Sequence, residues 1–292
     1  MIHEQLRGLG VAMVTPFKTS GDLDLDALER IINHLIDGGV DYIVSLGTTG
    51  ETPTISAEEK NELIEHTYRI TAGRVPVVVG IGGYDTRDII RRLQTCPLDQ
   101  AAAVLSVSPY YSRPSQQGLF EHFKAVAKAS PKPLMLYNVP ARTGRNIAAT
   151  TTLKLANECE NVFGIKEASG DMQQCMQIIK DKPKHFMVVS GDDNLALAQI
   201  AVGMDGLISV AGNFYARQMS ALVHEALKGQ FLSARNYLYE LLDAFDLMFA
   251  ENNPAGIKAF MSAAGLCENQ LRLPLVPVSE SLMKLIRIRS KS

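Results

Sequence analysis

The chain has 292 residues, 46% of them hydrophobic, and a formal net charge of −2 with 29 basic and 31 acidic side chains spread along it. That length buries one large α/β core with a modest addition, and the balanced charge offers no basic stripe for nucleic acid and no polybasic run for a membrane surface. No apolar run approaches the roughly 18 residues of a membrane span, and the opening MIHEQLRGLGVAMVTPF lacks a charged segment followed by a long apolar core, so a cytoplasmic protein is expected.

In chain order, strand-like and helix-like runs alternate. GVAMVTPF (10–17) precedes a helical run over 24–39, YIVSLGTTG (42–50) one over 56–73, VPVVVGIG (75–82) one over 86–96, and AAAVLSVSPYY (101–111) one over 115–130. PLMLYNVP (133–140), VFGIKEAS (162–169), FMVVSGDD (186–193) and GLISVAGNF (206–214) follow, each with its own helical run. Runs that are apolar throughout suit a parallel sheet covered on both faces, and eight strand-helix units close a TIM (β/α)8 barrel. An open doubly wound sheet is disfavoured, because no G-x-G-x-x-G follows the first strand. Three amphipathic helical stretches follow, over 231–250, 254–265 and 279–290. The expected division is a barrel over 1–229 and a C-terminal helical extension over 230–292.

Cys96, Cys159, Cys175 and Cys267 form no C-x-x-C pair and read as reduced packing residues. The six histidines show no ligand spacing, which disfavours a metal-dependent mechanism.

In a barrel of this kind the chemistry sits where strands end and loops begin. Lys166 ends the sixth strand-like run. An ammonium held among apolar neighbours incurs a desolvation cost that favours the free amine, which can attack a carbonyl carbon. Most lysines near strand ends simply reach solvent, so the argument rests on the other exits. Gly47-Thr48-Thr49-Gly50-Glu51 can cradle a carboxylate, although the same residues also make an ordinary turn. Tyr110, Tyr111 and Tyr137 can relay protons or merely pack, and Arg142 can clamp a carboxylate or sit on the surface. In Gly191-Asp192-Asp193-Asn194 an acidic or amide side chain is most simply a helix cap, while Gly191 leaves room for a ligand. Ile208 and Gly212-Asn213 offer backbone carbonyls facing the lysine from the eighth strand. A lysine, tyrosines, threonines and an arginine without a metal ligand set point to Schiff-base chemistry on a keto acid, whose enamine would attack an aldehyde.

These residues lie in runs that resemble the dihydrodipicolinate synthase family across essentially the whole barrel: GTTGE (47–51), SPYYSRPSQQGLFEHF (108–123), YNVPARTG (137–144), GIKEASG (164–170), SGDD (190–193) and GLISVAGN (206–213). The resemblance implies condensation of pyruvate with L-aspartate 4-semialdehyde on the diaminopimelate path to lysine, with no cofactor beyond a covalent pyruvate imine on Lys166. It implies Tyr137 as central proton relay, linked by Thr48 to a Tyr111 reaching in from a neighbouring subunit. Thr49 would bind the pyruvate carboxylate and Arg142 that of the semialdehyde, with Gly191 and the backbone of Ile208 lining the keto-acid pocket. A homotetramer built as a dimer of dimers is implied as well. Related lyases of N-acetylneuraminate or 2-keto-3-deoxy sugar acids share the lysine and tyrosine, but a short semialdehyde calls for the cation Arg142 where a polyol chain would not. A barrel that merely senses a keto acid is the alternative outside catalysis. The chain departs from lysine-inhibited members at Thr52, Pro53, Ala57, Lys60, Tyr84 and Asp88, so feedback by L-lysine is expected to be weak or absent.

Overall fold

The computed structural model describes residues 2–291. Eight parallel strands close on themselves in sequence order: β1 (Gly8–Ala12), β2 (Tyr42–Ser45), β3 (Val77–Gly80), β4 (Ala103–Val107), β5 (Leu134–Asn138), β6 (Val162–Glu167), β7 (Met187–Ser190) and β8 (Gly206–Ser209), with β8 returning to β1 through Gly10↔Ile208. This is a TIM (β/α)8 barrel with helices at its C-terminal end.

Side chains on each strand alternate between two apolar clusters. Leu9, Ile43, Val79, Val104, Leu136, Ile165 and Val188 face the surrounding helices. Ala12, Val44, Val78, Leu105, Met135, Tyr137, Val189 and Ile208 face the barrel interior. The interior is filled across the barrel: a Cβ at Gly10 would lie 2.2 Å from the ring of Tyr42, so the missing side chain on β1 makes room for the aromatic ring on β2. Alternation also explains the runs apolar at every position, since both faces of every strand are buried.

The helices begin where short polar side chains cap them. Asp24, Ser56, Ser115 and Asp171 accept hydrogen bonds from the N–H of Ala27, Glu59, Gly118 and Gln174 at 3.0, 3.2, 3.1 and 3.0 Å. The first strand differs from the sequence expectation. It starts at Gly8 and stops at Ala12, and residues 13–17 leave the sheet ahead of a single antiparallel bridge between Phe17 and Leu23. Pro16 has no N–H with which to continue a ladder.

The C-terminal helices Phe231–Phe249, Ala255–Ala263 and Glu280–Arg289 pack on one another and on the end of the barrel. Lys258, fully buried, pairs with the equally buried Glu51 of the turn after β2, donates to the Gln270 carbonyl at 2.8 Å, and lies 4.3 Å from the centre of the Phe17 ring. Burial pulls its ammonium down and Glu51 opposes that pull. Replacing Lys258 with Met strands the Glu51 carboxylate, and urea unfolding is expected to show a loss of about 3–5 kcal/mol that Glu51→Gln on the same chain largely restores. A loss under about 1 kcal/mol in the single variant would mean that the pair does not hold this turn.

Candidate active site

A cavity of about 360 Å³ opens at the C-terminal ends of the strands. Lys166, only 4% exposed, projects inward from β6, with its Nζ 4.5 Å from the centre of the Tyr137 ring on the neighbouring strand, where the two residues are register partners. Thr48, Thr49, Arg142 and Gly191 line the same space. Six of the eight residues expected from the sequence therefore meet at one site.

Because Tyr137 and Lys166 point inward, the next residues, Asn138 and Glu167, point into the helix layer. Both are fully buried. Asn138 Nδ2 donates to both Glu167 oxygens at 3.0 Å, Gln174 Nε2 donates at 3.0 Å and the Ser169 N–H at 2.9 Å. Burial pushes the Glu167 carboxyl up, and these donors pull it back toward the ionised form. The network fixes the exits of β5 and β6 and so the two side chains facing the cavity. Sequence reading passed over it, although burial on both faces of each strand gives Glu167 this environment.

Gly191 leaves space for the lysine. An added Cβ would lie 2.6 Å from Ala168 Cβ and 2.9 Å from Lys166 Cε. Beside it Asp192 lines the cavity with its Oδ2 buried and unpartnered, and its carboxyl is pushed up to about 6, chiefly by burial, with Lys166 pulling it down and Asp193 and Glu167 pushing it up. Asp193, one of three residues in this run that the sequence offers as a helix cap, does something else. It accepts from Ser209 Oγ at 2.5 Å and from the N–H groups of Val210 and Ala211 at 3.1 and 2.9 Å, joining the exits of β7 and β8. Asn213 likewise ties β8 to β1, accepting from the Val14 N–H at 3.0 Å and donating to the Ala12 carbonyl at 2.9 Å.

The turn after β2 is held by Thr52, whose single hydroxyl proton is shared between the carbonyls of Leu46 and Gly47, 2.6 and 2.9 Å from Oγ1. Glu51, in the left-handed region at φ 53°, is held by Lys258 and by the Arg272 N–H at 3.1 Å. Two expected residues stand apart. Ile208 is fully buried in the interior cluster, and Val210 lines the cavity from that side. Tyr111 is 95% exposed and lines neither this cavity nor its neighbour, and Thr48 and Tyr137 share the site without a hydrogen bond between them.

A second cavity, about 870 Å³, adjoins the first and shares Thr48, Tyr137 and Arg142 with it. Its far wall carries Lys60, Tyr84, Asp88, Arg92 and Tyr110, with Arg92 Nε 3.2 Å from Asp88 and the Tyr84 and Tyr110 rings edge to face at 5.5 Å. Burial and the nearby Arg92 charge pull the Lys60 ammonium down. Among the described residues, no three His, Cys, Asp or Glu side chains gather as a metal-holding group.

The family model described as "Dihydrodipicolinate synthetase family" matches residues 5–288. The chain is 45% identical over 282 residues to a 4-hydroxy-tetrahydrodipicolinate synthase of Azobacteroides pseudotrichonymphae, covering 97% of this chain and 95% of that one. A protein of the same name from Flavobacterium psychrophilum is 46% identical over 284 residues, covering 97% of each. Among solved structures, dihydrodipicolinate synthase from Thermotoga maritima superposes with a TM-score of 0.96 at 38% identity, covering 98% of each chain.

Proposed function

The chain belongs to the dihydrodipicolinate synthetase family, and from that premise we propose that Lys166 is the amine on which pyruvate is activated. The reaction is the condensation of pyruvate with L-aspartate 4-semialdehyde to 4-hydroxy-tetrahydrodipicolinate, a lyase step of the diaminopimelate route to L-lysine that uses no external cofactor. The observation that carries the assignment is a buried lysine facing a tyrosine ring at the floor of a cavity walled by threonines and an arginine.

Lys166 Nζ adds to C2 of pyruvate, and loss of water gives a protonated imine. That group withdraws electrons, so the C3 methyl loses a proton and becomes an enamine whose C3 attacks the aldehyde carbon. Thr49 and the Gly47–Gly50 backbone receive the pyruvate carboxylate, and Arg142 receives the carboxylate of the semialdehyde. Tyr137 moves the protons, being the phenol against Lys166, with Thr48 as its link outward. Release follows when the semialdehyde's amino nitrogen bonds C2 and displaces Lys166. Turnover of aspartate semialdehyde with pyruvate, and none of N-acetylneuraminate, is the expected result; the reverse would overturn the substrate assignment.

The relay needs a second copy of the chain. Tyr111 has a left-handed backbone at φ 69°, which costs a bulky residue on the order of 1–3 kcal/mol, and its ring stands in solvent. An exposed aromatic held in that conformation is suited to entering a neighbouring protomer's site, and a homotetramer built as a dimer of dimers is the proposed assembly. The proposed compartment is the cytoplasm. Four free cysteines suit a reducing environment, and among the described residues no helix is long and apolar enough to cross a membrane.

Feedback by L-lysine is expected to be weak or absent. Of the six residues that depart from lysine-inhibited members, Thr52, Pro53, Lys60, Tyr84 and Asp88 line the second cavity and Ala57 does not; Lys60 and Arg92 supply two cations there. An incoming ammonium would meet them in partly desolvated surroundings. Half-inhibition by sub-millimolar L-lysine would contradict this reading.

A further inference from the structure

Thr49 and Arg142, on different loops of the barrel, converge on a residue that belongs to neither. Asn253 lies between helices Phe231–Phe249 and Ala255–Ala263, is 4% exposed and lines both cavities. Its Nδ2 donates to Thr49 Oγ1 at 3.1 Å, and its main-chain carbonyl accepts from Arg142 Nη2 at 3.2 Å. Its Oδ1 is buried and has no hydrogen-bond partner.

Each contact has a chemical consequence. A hydroxyl carries one proton, so Thr49, by accepting from Asn253, keeps its own proton free to donate to an anion in the cavity. A guanidinium held at one nitrogen still presents other N–H groups to a carboxylate. A buried amide oxygen without a donor is an unfavourable state that a donor entering the cavity relieves.

We propose that Asn253 positions both substrates: Nδ2 sets the Thr49 hydroxyl as a donor to the keto-acid carboxylate, the main-chain carbonyl restrains Arg142, and Oδ1 accepts an N–H of the semialdehyde's amino group. The proposal rests on the synthase reading above and extends it to the step that frees the enzyme. In that step the amino nitrogen bonds C2, one of its protons passes to Lys166 Nζ, and the C2–Nζ bond breaks, leaving a cyclic protonated imine and the free lysine. An acceptor holding one N–H fixes where the nitrogen's lone pair points, which the ring closure requires.

Steady-state kinetics of Asn253→Ala and Asn253→Asp test it. Asn253→Ala removes both side-chain contacts and is expected to raise KM for pyruvate and for the semialdehyde by about tenfold each. Asn253→Asp keeps the acceptor but removes the donor, so the Thr49 hydroxyl turns to donate to the new carboxylate. Its pyruvate KM is expected to rise by at least about tenfold while the semialdehyde KM stays within about twofold of wild type. A merely structural role would lower kcat or Tm in both variants without that split, and unchanged KM values or a matching semialdehyde KM in the two variants would overturn the proposal. Should Asn253→Ala fail to fold, the split in Asn253→Asp decides alone. Borohydride trapping of pyruvate on wild-type Lys166 separates the failures: an adduct without the split sinks this proposal only, and no adduct sinks the reading beneath it.

Discussion

Replacing Lys166 with alanine is expected to abolish the pyruvate adduct and to lower turnover by more than about 10⁴-fold, about 5.5 kcal/mol of transition-state stabilisation. The substitution removes the only atom proposed to bond the substrate, so no rearrangement of the cavity compensates. The fold is expected to survive. Among the described residues Lys166 Nζ forms no hydrogen bond or ion pair and rests on the Tyr137 ring face, and the Asp192 carboxyl that its charge pulls down is already pushed up to about 6 by burial, so with alanine Asp192 takes up a proton rather than remaining a buried charge. Circular dichroism matching wild type, together with loss of turnover and of adduct, is the expected combination. Residual turnover within about tenfold of wild type would show that another amine carries the chemistry.

Arg142→Ala is expected to separate the two substrates. The residue sits on the short helix Pro140–Thr143 after β5, outside the floor that holds Lys166, so pyruvate should still form its adduct at an unchanged rate. For the semialdehyde, losing a charge-assisted clamp should lower kcat/KM by about 10²–10³-fold, about 2.7–4 kcal/mol. Arg142→Lys should recover only part of this, because an ammonium cannot present two parallel N–H groups to a carboxylate. Semialdehyde turnover equal to wild type in Arg142→Ala would remove the residue from the proposed site.

The barrel was legible because its strands are buried on both faces. That leaves apolar runs such as VPVVVGIG and FMVVSGDD where a half-exposed sheet would alternate, and eight of them, each with a helix, fix the architecture. Closure then makes exits distant in sequence converge, which is why Thr48, Thr49, Tyr137, Arg142, Lys166 and Gly191 share a cavity. The same closure hid other roles. Asn253 meets Thr49 across 204 residues and Lys258 meets Glu51 across 207, and neither contact leaves a periodic trace in the sequence. Asp193 sits in a run that offers a helix cap, yet its partners are on the next strand's exit, 16 to 18 residues on. The Ile208 side chain is taken up by the barrel interior because strand register decides which side chain reaches the mouth, and the expectation there concerned its backbone. Tyr111 stands outside the cavity, since its ring faces solvent.

The central claim is a covalent imine between pyruvate and Lys166, and trapping it tests that claim most directly. The wild-type protein would be incubated with pyruvate, reduced with borohydride, digested and analysed by peptide mass. The expected result is one reduced pyruvate adduct per chain, located at Lys166 in the peptide spanning GIKEASG. An adduct on a different lysine, or turnover of both substrates with no trappable adduct, would contradict the account.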